Sequence, residues 1–111
     1  MKVSINFTHH FETKYKWYKK KFKSLESDID EFTKNLTQFS SDDLGNGIHK
    51  YRLAVKSKNT GKRGGFRVIS FEVLASLCEK EVTLITLYDK GEQSSISKKE
   101  IVAILKEEGL V

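Results

Sequence analysis

Hydrophobic and polar residues follow two rhythms along the chain, one typical of strands and one typical of helices. Residues 2–7 alternate polar and apolar, which predicts a strand with one face in water. The next two stretches carry apolar residues at helical spacing and predict two amphipathic helices with a short joint. Thr8 is the predicted N-cap of the first helix, and the second begins near Ser24 or Ser27. The two apolar stripes are Phe11, Tyr15, Tyr18 and Phe22, then Leu25, Ile29, Phe32, Leu36 and Phe39.

The second half of the chain predicts the sheet on which these helices lie. Residues 40–47 are interpreted as a turn because Ser, Asp, Asn and Gly dominate them. Three further strands are expected, over residues 48–55, 66–73 and 82–88. A capping box that starts at Ser97 opens a last helix, and Gly109 ends it. We therefore predict an α+β fold in which an antiparallel sheet of about four strands packs on an N-terminal αα-hairpin, with a C-terminal helix.

Composition limits the chain to one domain and a few classes of protein. With 111 residues and 38% hydrophobic content, residues 1–111 are expected to form a single domain with one core. Cys78 is the only cysteine, which rules out an internal disulfide and a cysteine-based zinc site; we predict no metal and no cofactor. No apolar run approaches the roughly 20 residues that span a bilayer, and the first residues lack a secretory signal. These features predict a soluble, cytoplasmic protein that does not contact a membrane.

The positive charge of the chain is concentrated in one segment. The formal net charge is +5, and residues 45–71 hold seven basic residues and no Asp or Glu. The remaining residues are slightly acidic as a set. A solvated surface does not require such segregation, whereas binding to a polyanion does.

The strand predicted over residues 48–55 places part of this charge on one face. Its two-residue period puts Lys50 and Arg52 on one side and the apolar residues, which pack under the helices, on the other. Five further side chains are expected around the same cup: Lys62, Arg63, Arg67, Tyr88 and Lys90. Cations interleaved with aromatic rings suit single-stranded RNA, because phosphates neutralise the charge and bases stack on the rings.

Other basic residues have simpler explanations. The lysine-rich stretch 14–23 is interpreted as a solvated helix face, with contact to RNA or the ribosome as the alternative. Lys56 and Lys58 are expected to keep their loop soluble, with Lys56 retained as a candidate for RNA contact. His49 falls on the side of its strand opposite Lys50, away from the cup.

Four segments in order resemble a known family: Leu44–Ala54 (LGNGIHKYRLA), Gly61–Ile69 (GKRGGFRVI), Leu87–Lys90 (LYDK) and Ser97–Glu100 (SKKE). Together they resemble the HigB/RelE-like toxins of bacterial toxin–antitoxin pairs. The resemblance implies a microbial-ribonuclease-like fold, cleavage of mRNA on the ribosome, and neutralisation by a cognate antitoxin, which in HigB pairs often carries a helix-turn-helix domain. The superfamily also contains members that poison DNA gyrase, so fold alone leaves the activity open.

We predict a metal-independent mRNA endoribonuclease that inhibits translation. The candidate catalytic residues are Arg52, Lys62, Arg67, Tyr88 and Lys90. The candidate RNA-binding residues are Lys50, Lys56 and Arg63. Arg52 and Arg67 are expected to grip the scissile phosphate, because guanidinium forks match phosphate oxygens. Tyr88 is expected to stack on or orient a base, and Lys90 to supply charge or a proton. The alternatives are a module that binds RNA or the ribosome without cleavage, and an inhibitor directed at gyrase.

Overall fold

One mixed sheet of five strands forms the centre of the fold, with helices on both of its faces. A computed structural model describes all 111 residues. The helices are α1 (His9–Lys21), α2 (Leu25–Lys34) and α3 (Lys98–Glu107). The strands are β1 (Lys2–Phe7), β2 (Ser41–Gly45), β3 (Ile48–Leu53), β4 (Phe66–Ser76) and β5 (Glu79–Asp89). The predicted α+β class, the αα-hairpin and the C-terminal helix are confirmed.

Two details of the predicted sheet were wrong. The strand order is β1-β5-β4-β3-β2, and β1 lies parallel to β5, whereas the other neighbours form antiparallel hairpins. Residues 41–45, interpreted as a turn, form the edge strand β2, which raises the strand count to five. An edge strand that faces water can consist of polar residues such as Asp42 and Asp43. It then lacks the apolar alternation from which strands are predicted, and the local sequence therefore did not reveal β2.

The αα-hairpin covers one face of the sheet with the two predicted stripes. Thr8 caps α1 as predicted: its Oγ1 accepts a hydrogen bond from the Phe11 amide at 2.9 Å and donates one to the Ile85 carbonyl at 2.9 Å. The cap therefore also ties the start of α1 to β5. The core on this face consists of Phe11, Tyr18, Leu25, Ile29, Phe32, Leu36, Tyr51, Leu53, Val55, Phe66, Val68, Val82, Leu84 and Leu87.

Helix α3 covers part of the opposite face. Its predicted cap is present, since Ser97 Oγ accepts from the Glu100 amide at 3.1 Å, and Gly109 follows with a φ of 70°. The second core cluster consists of Ile48, Ile69, Ile85, Tyr88, Ile101, Ile104 and Leu105. Burial of each of these aliphatic side chains contributes about 1.5–3 kcal/mol, which holds the short helix against the sheet. None of the three helices has the length and apolar character needed to cross a membrane.

Candidate functional site

Three of the candidate residues form a row across the sheet. Arg52 on β3 pairs with Arg67 on β4, and Arg67 pairs with Tyr88 on β5. Residues directly opposite each other on neighbouring strands project from the same face, so the three side chains share the face that carries α3. Lys50 lies two residues before Arg52 and projects from that face as well. The opposite alternation is observed for Tyr51, which lies in the core under the αα-hairpin.

Arg67, the middle residue of this row, is buried and organises the loop that precedes β4. Its side chain is 5% exposed, and its guanidinium donates to the carbonyls of Lys62 at 2.9 Å, Phe66 at 3.2 Å and Arg63 at 3.1 Å. Burial, and then the like charge of Arg52, lowers the pKa of Arg67 from its ordinary value. A guanidinium nevertheless stays protonated in proteins, so Arg67 is a fixed cation whose hydrogen bonds set the course of the loop.

An open concavity beside the row brings three cations together. Its volume is about 380 Å³, within the range of small-molecule sites in proteins. The residues that line it are Gln38, Phe39, Ser40, Ser41, Asp42, Lys50, Arg52 and Lys62. Lys50, Arg52 and Lys62 face only one carboxylate there, that of Asp42. The concavity is therefore positively charged and suited to phosphate groups.

Phe39 and Asp42 belong to this concavity although the sequence did not assign them to it. Phe39 was placed in the apolar stripe of the second helix, but α2 ends at Lys34 and a 3-10 turn follows. This turn leaves Phe39 partly buried, with its ring centroid 5.3 Å from Lys62 Nζ. Its position just before the edge strand was the available clue, because that strand pairs with β3, which carries Lys50 and Arg52.

Tyr88 ends the row but is covered. It is 3% exposed and packs among the apolar side chains of α3, and its hydroxyl has no hydrogen-bond partner. Burial raises the pKa of Tyr88, and the charge of Arg67 acts in the opposite direction. Its ring has no free face on which a base could stack in this conformation. Lys90 follows β5, where its amide donates to the Gly65 carbonyl at 3.0 Å and its Nζ to the Ser94 carbonyl at 2.6 Å.

The remaining basic candidates lie outside the concavity. Lys56 makes an exposed ion pair with Glu31 of α2, with 3.6 Å between Nζ and Oε2. Arg63 is exposed on the loop, and only its carbonyl is fixed, by Arg67. The interpretation of Lys58 as a solubilising charge was wrong. Its ammonium forms a buried ion pair with Asp89 and lies 5.7 Å from the centroid of the Phe22 ring.

A second polar cluster lies within the sheet and was not predicted. Glu72 of β4 accepts hydrogen bonds from Tyr51 Oη at 2.6 Å and Ser70 Oγ at 2.7 Å, and Lys80 Nζ lies 2.6 Å from its other oxygen. Burial acts to raise the pKa of Glu72, but the hydrogen bonds from Lys80, Tyr51 and Ser70 outweigh it and lower that pKa. Glu72 is the only acidic residue of β4 and lies next to Phe71 and Val73, which was the clue in the sequence. The hydrogen bonds that Glu72 accepts, its ion pair with Lys80 and its position under the αα-hairpin indicate a structural role.

Comparison with protein families identifies the family of the chain. A family model described as the RelE toxin of the RelE/RelB toxin–antitoxin system matches residues 8–109. The chain belongs to the RelE toxin family. No curated protein matches its sequence. The match covers every helix and strand except β1, so the row and the concavity both belong to the RelE domain. As a RelE toxin of a toxin–antitoxin pair, the protein has an antitoxin as its partner.

Proposed function

We propose that this RelE toxin is a metal-independent endoribonuclease that cleaves mRNA on the ribosome and thereby inhibits translation in the cytoplasm. One observation carries the proposal: Lys50 and Arg52 of β3 and Lys62 of the loop before β4 converge in one concavity of about 380 Å³. Clustered like charges repel one another and destabilise the free protein, and a bound polyanion removes this repulsion. The convergence of three cations therefore indicates a site for a polyanion. Membership of the RelE family makes RNA the expected polyanion.

The reaction that this arrangement supports is internal transfer at phosphorus. The ribose 2′-oxygen attacks the adjacent phosphorus, its proton passes to a base, and the bond from phosphorus to the 5′-oxygen breaks as that oxygen accepts a proton. Arg52 is exposed at the concavity and stabilises the added negative charge on the phosphate, while Lys50 and Lys62 hold the flanking backbone. The concavity contains no histidine, so its lysines and Asp42 are the groups available for proton transfer. The ribosome supplies the alignment of the mRNA.

Arg67, Tyr88 and Lys90 act from behind or beside the concavity in this proposal. Arg67 positions Lys62 through its bond to the Lys62 carbonyl and adds positive potential behind the phosphate. Contact between Tyr88 and RNA requires that the segment after Asp89 move away from the sheet, because that segment and α3 now cover the ring. Lys90 stands at the start of the same segment and remains the candidate for an auxiliary charge.

Primer extension on cellular mRNA after induction of the toxin tests the proposal. The wild type should create new 5′ ends within translated codons, and Arg52→Ala should reduce cleavage by about 10²- to 10³-fold, as expected for loss of one group that stabilises transition-state charge. Lys2→Ala is a matched control because Lys2 is an exposed cation of β1, beside the start of β5 at Glu79 and therefore at the end of β5 away from Tyr88. Arg67→Ala is a weaker test, since it removes a cation and a loop anchor together.

Binding to the cognate antitoxin, measured in parallel, shows that each variant is folded. Translation arrest without new mRNA ends would mean that the toxin binds RNA or the ribosome and does not cleave. The absence of a histidine from the concavity favours this alternative. Breaks in DNA after induction would indicate a gyrase-directed toxin. Either result overturns the endoribonuclease assignment.

A further inference from the structure

Trp17 on α1 is an aromatic side chain without a structural role that accounts for it. It is the only tryptophan of the chain, and it is 52% exposed on the surface of the helix. Its ring meets the edge of Tyr18 with 4.9 Å between centroids, and Lys21 Nζ lies 4.7 Å from its centroid. Tyr18 and Lys21 therefore contact the indole while much of the side chain stays in water. A large, solvent-exposed ring is a ready surface for another planar group.

The surroundings of Trp17 are strongly basic. Residues 14–23 contain six lysines and no acidic residue. Lys14, Lys20 and Lys21 lie three or four positions from Trp17 and so flank it on the helix surface. Only Lys21 is paired, in an exposed ion pair with Glu92 at 3.2 Å, whereas Lys14 and Lys20 make no salt bridge. This combination of an exposed ring and unpaired cations selects an anionic partner with flat groups, which is single-stranded RNA.

The fold places this surface in line with the candidate active site. The strand β1 pairs only with residues 79–84 of β5, so the last part of β5 has α1 as its neighbour. The Asp89 amide donates to Tyr18 Oη at 3.3 Å, and Lys14 lines a cavity together with Tyr88. The end of the row at Tyr88 therefore borders the side of α1 that carries Lys14 and flanks Trp17. RNA that passes from the concavity to this side of α1 requires the same movement of the segment after Asp89 as the proposed contact with Tyr88.

We propose that RNA bound at the concavity extends onto α1, where one base stacks on Trp17 and Lys14 and Lys20 bind neighbouring phosphates. The proposal rests on RNA as the substrate class of the proposed function, but it does not depend on cleavage. It turns the lysine-rich helix, first interpreted as a solvated face, into a second contact that raises affinity for the mRNA. Stacking tolerates any base, so this contact adds length and strength of binding without reading sequence.

Fluorescence of the 111-residue toxin tests the stacking directly, because all tryptophan emission comes from Trp17. The probe is a 2′-O-methyl RNA of about ten nucleotides, a length within the range that single-strand binding sites occupy. This probe lacks the attacking hydroxyl and cannot be cleaved. Titration should quench the emission, with the same dissociation constant that the anisotropy of a dye-labelled probe reports.

Substitutions separate stacking from general attraction. Trp17→Ala should weaken binding of the probe by about 5- to 100-fold, the range expected for loss of one stacked base, and Trp17→Phe should weaken it less. Lys20→Ala should reduce the slope of log K against log salt by about 0.7, as for one phosphate contact with a single strand. Leu77→Ala and Lys2→Ala are matched controls for an exposed apolar and a basic residue; Leu77 is 96% exposed at the far hairpin, and neither should change affinity beyond a small electrostatic effect.

Unchanged emission at a probe concentration that saturates the anisotropy would overturn the proposal. Equal quenching by polyglutamate would also overturn it, since an acidic polypeptide has no bases to stack and would indicate a protein partner for this surface. The two proposals fail separately. Loss of mRNA cleavage in cells with quenching retained removes the nuclease and keeps the Trp17 contact. Intact cleavage with Trp17→Ala binding like the wild type removes the Trp17 contact alone.

Discussion

The buried carboxylate of Glu72 offers a direct test of what stabilises the sheet. Tyr51→Phe removes the hydroxyl that donates to Glu72 at 2.6 Å and keeps the ring, which is buried against Phe32 with 5.2 Å between centroids. No cavity forms, so the effect isolates one hydrogen bond to a charged group, worth about 1.5–3 kcal/mol. For a protein of this size a loss of 1 kcal/mol lowers Tm by roughly 4 °C. We expect Tyr51→Phe to lower Tm by about 6–12 °C at neutral pH.

The dependence of this loss on pH gives a second readout. Glu72 has a lowered pKa in the folded protein, so its contribution is fully present above the unfolded value of about 4.3 and is lost as pH falls through the folded pKa. The Tyr51 hydroxyl stabilises the charged carboxylate, and Tyr51→Phe therefore brings the pKa of Glu72 closer to its ordinary value. The difference in unfolding free energy between the two proteins should shrink as pH falls below about 4.

Urea unfolding followed by circular dichroism, at neutral pH and at a pH below about 4, measures the unfolding free energies of the wild type and of Tyr51→Phe. Tyr15→Phe is the matched control, because the Tyr15 ring is only partly buried and its hydroxyl makes no hydrogen bond. A loss below about 0.5 kcal/mol for Tyr51→Phe, the size of an ordinary surface substitution, would show that the hydroxyl does not support Glu72. A loss that is equal at neutral and acid pH would show that the carboxylate is not the acceptor that matters.

Three other substitutions test long-range contacts by urea unfolding at neutral pH. Lys58→Met leaves Asp89 buried without its cation and should cost about 3–5 kcal/mol, whereas a loss under 1 kcal/mol would mean that Asp89 reaches water. Gly65→Ala brings a methyl group to 2.1 Å from the Leu53 carbonyl oxygen and should cost about 2–3 kcal/mol; a neutral result would contradict the close approach of loop and β3. Thr8→Val removes the cap of α1 and should cost about 1–2 kcal/mol, which Thr8→Ser should restore in large part.

Much of the local structure could be predicted from the sequence because its causes lie within a few residues. Thr8 and Ser97 cap the helices that they were expected to cap, and Gly109 has the positive φ that ends α3. Alternation on β3 separated Lys50 and Arg52 from the core residues of that strand. These predictions succeeded because capping, helical period and strand period are short-range properties.

The pairing partners of the strands could not be predicted in the same way. The parallel position of β1 beside β5 joins residues about 80 positions apart in the chain, such as Lys2 and Glu79. The edge strand β2 is mostly polar and lacks the apolar face from which a strand is predicted. Both features depend on which segments meet in space, and a local pattern of residues does not contain that information.

The sequence by itself determined the three helices, four of the five strands, the caps at Thr8 and Ser97 and the concentration of basic charge that marks this RelE toxin. Only the tertiary structure decided what each charge does. The strand register places Arg67 opposite Arg52, and its burial directs its hydrogen bonds to the carbonyls of the loop before β4. Packing also buries the ring of Tyr88 under α3. Lys58 is drawn from the surface into an ion pair with Asp89. The physical reason is that solvent exposure and partner choice belong to the packed molecule, in which distant segments exclude water from one another.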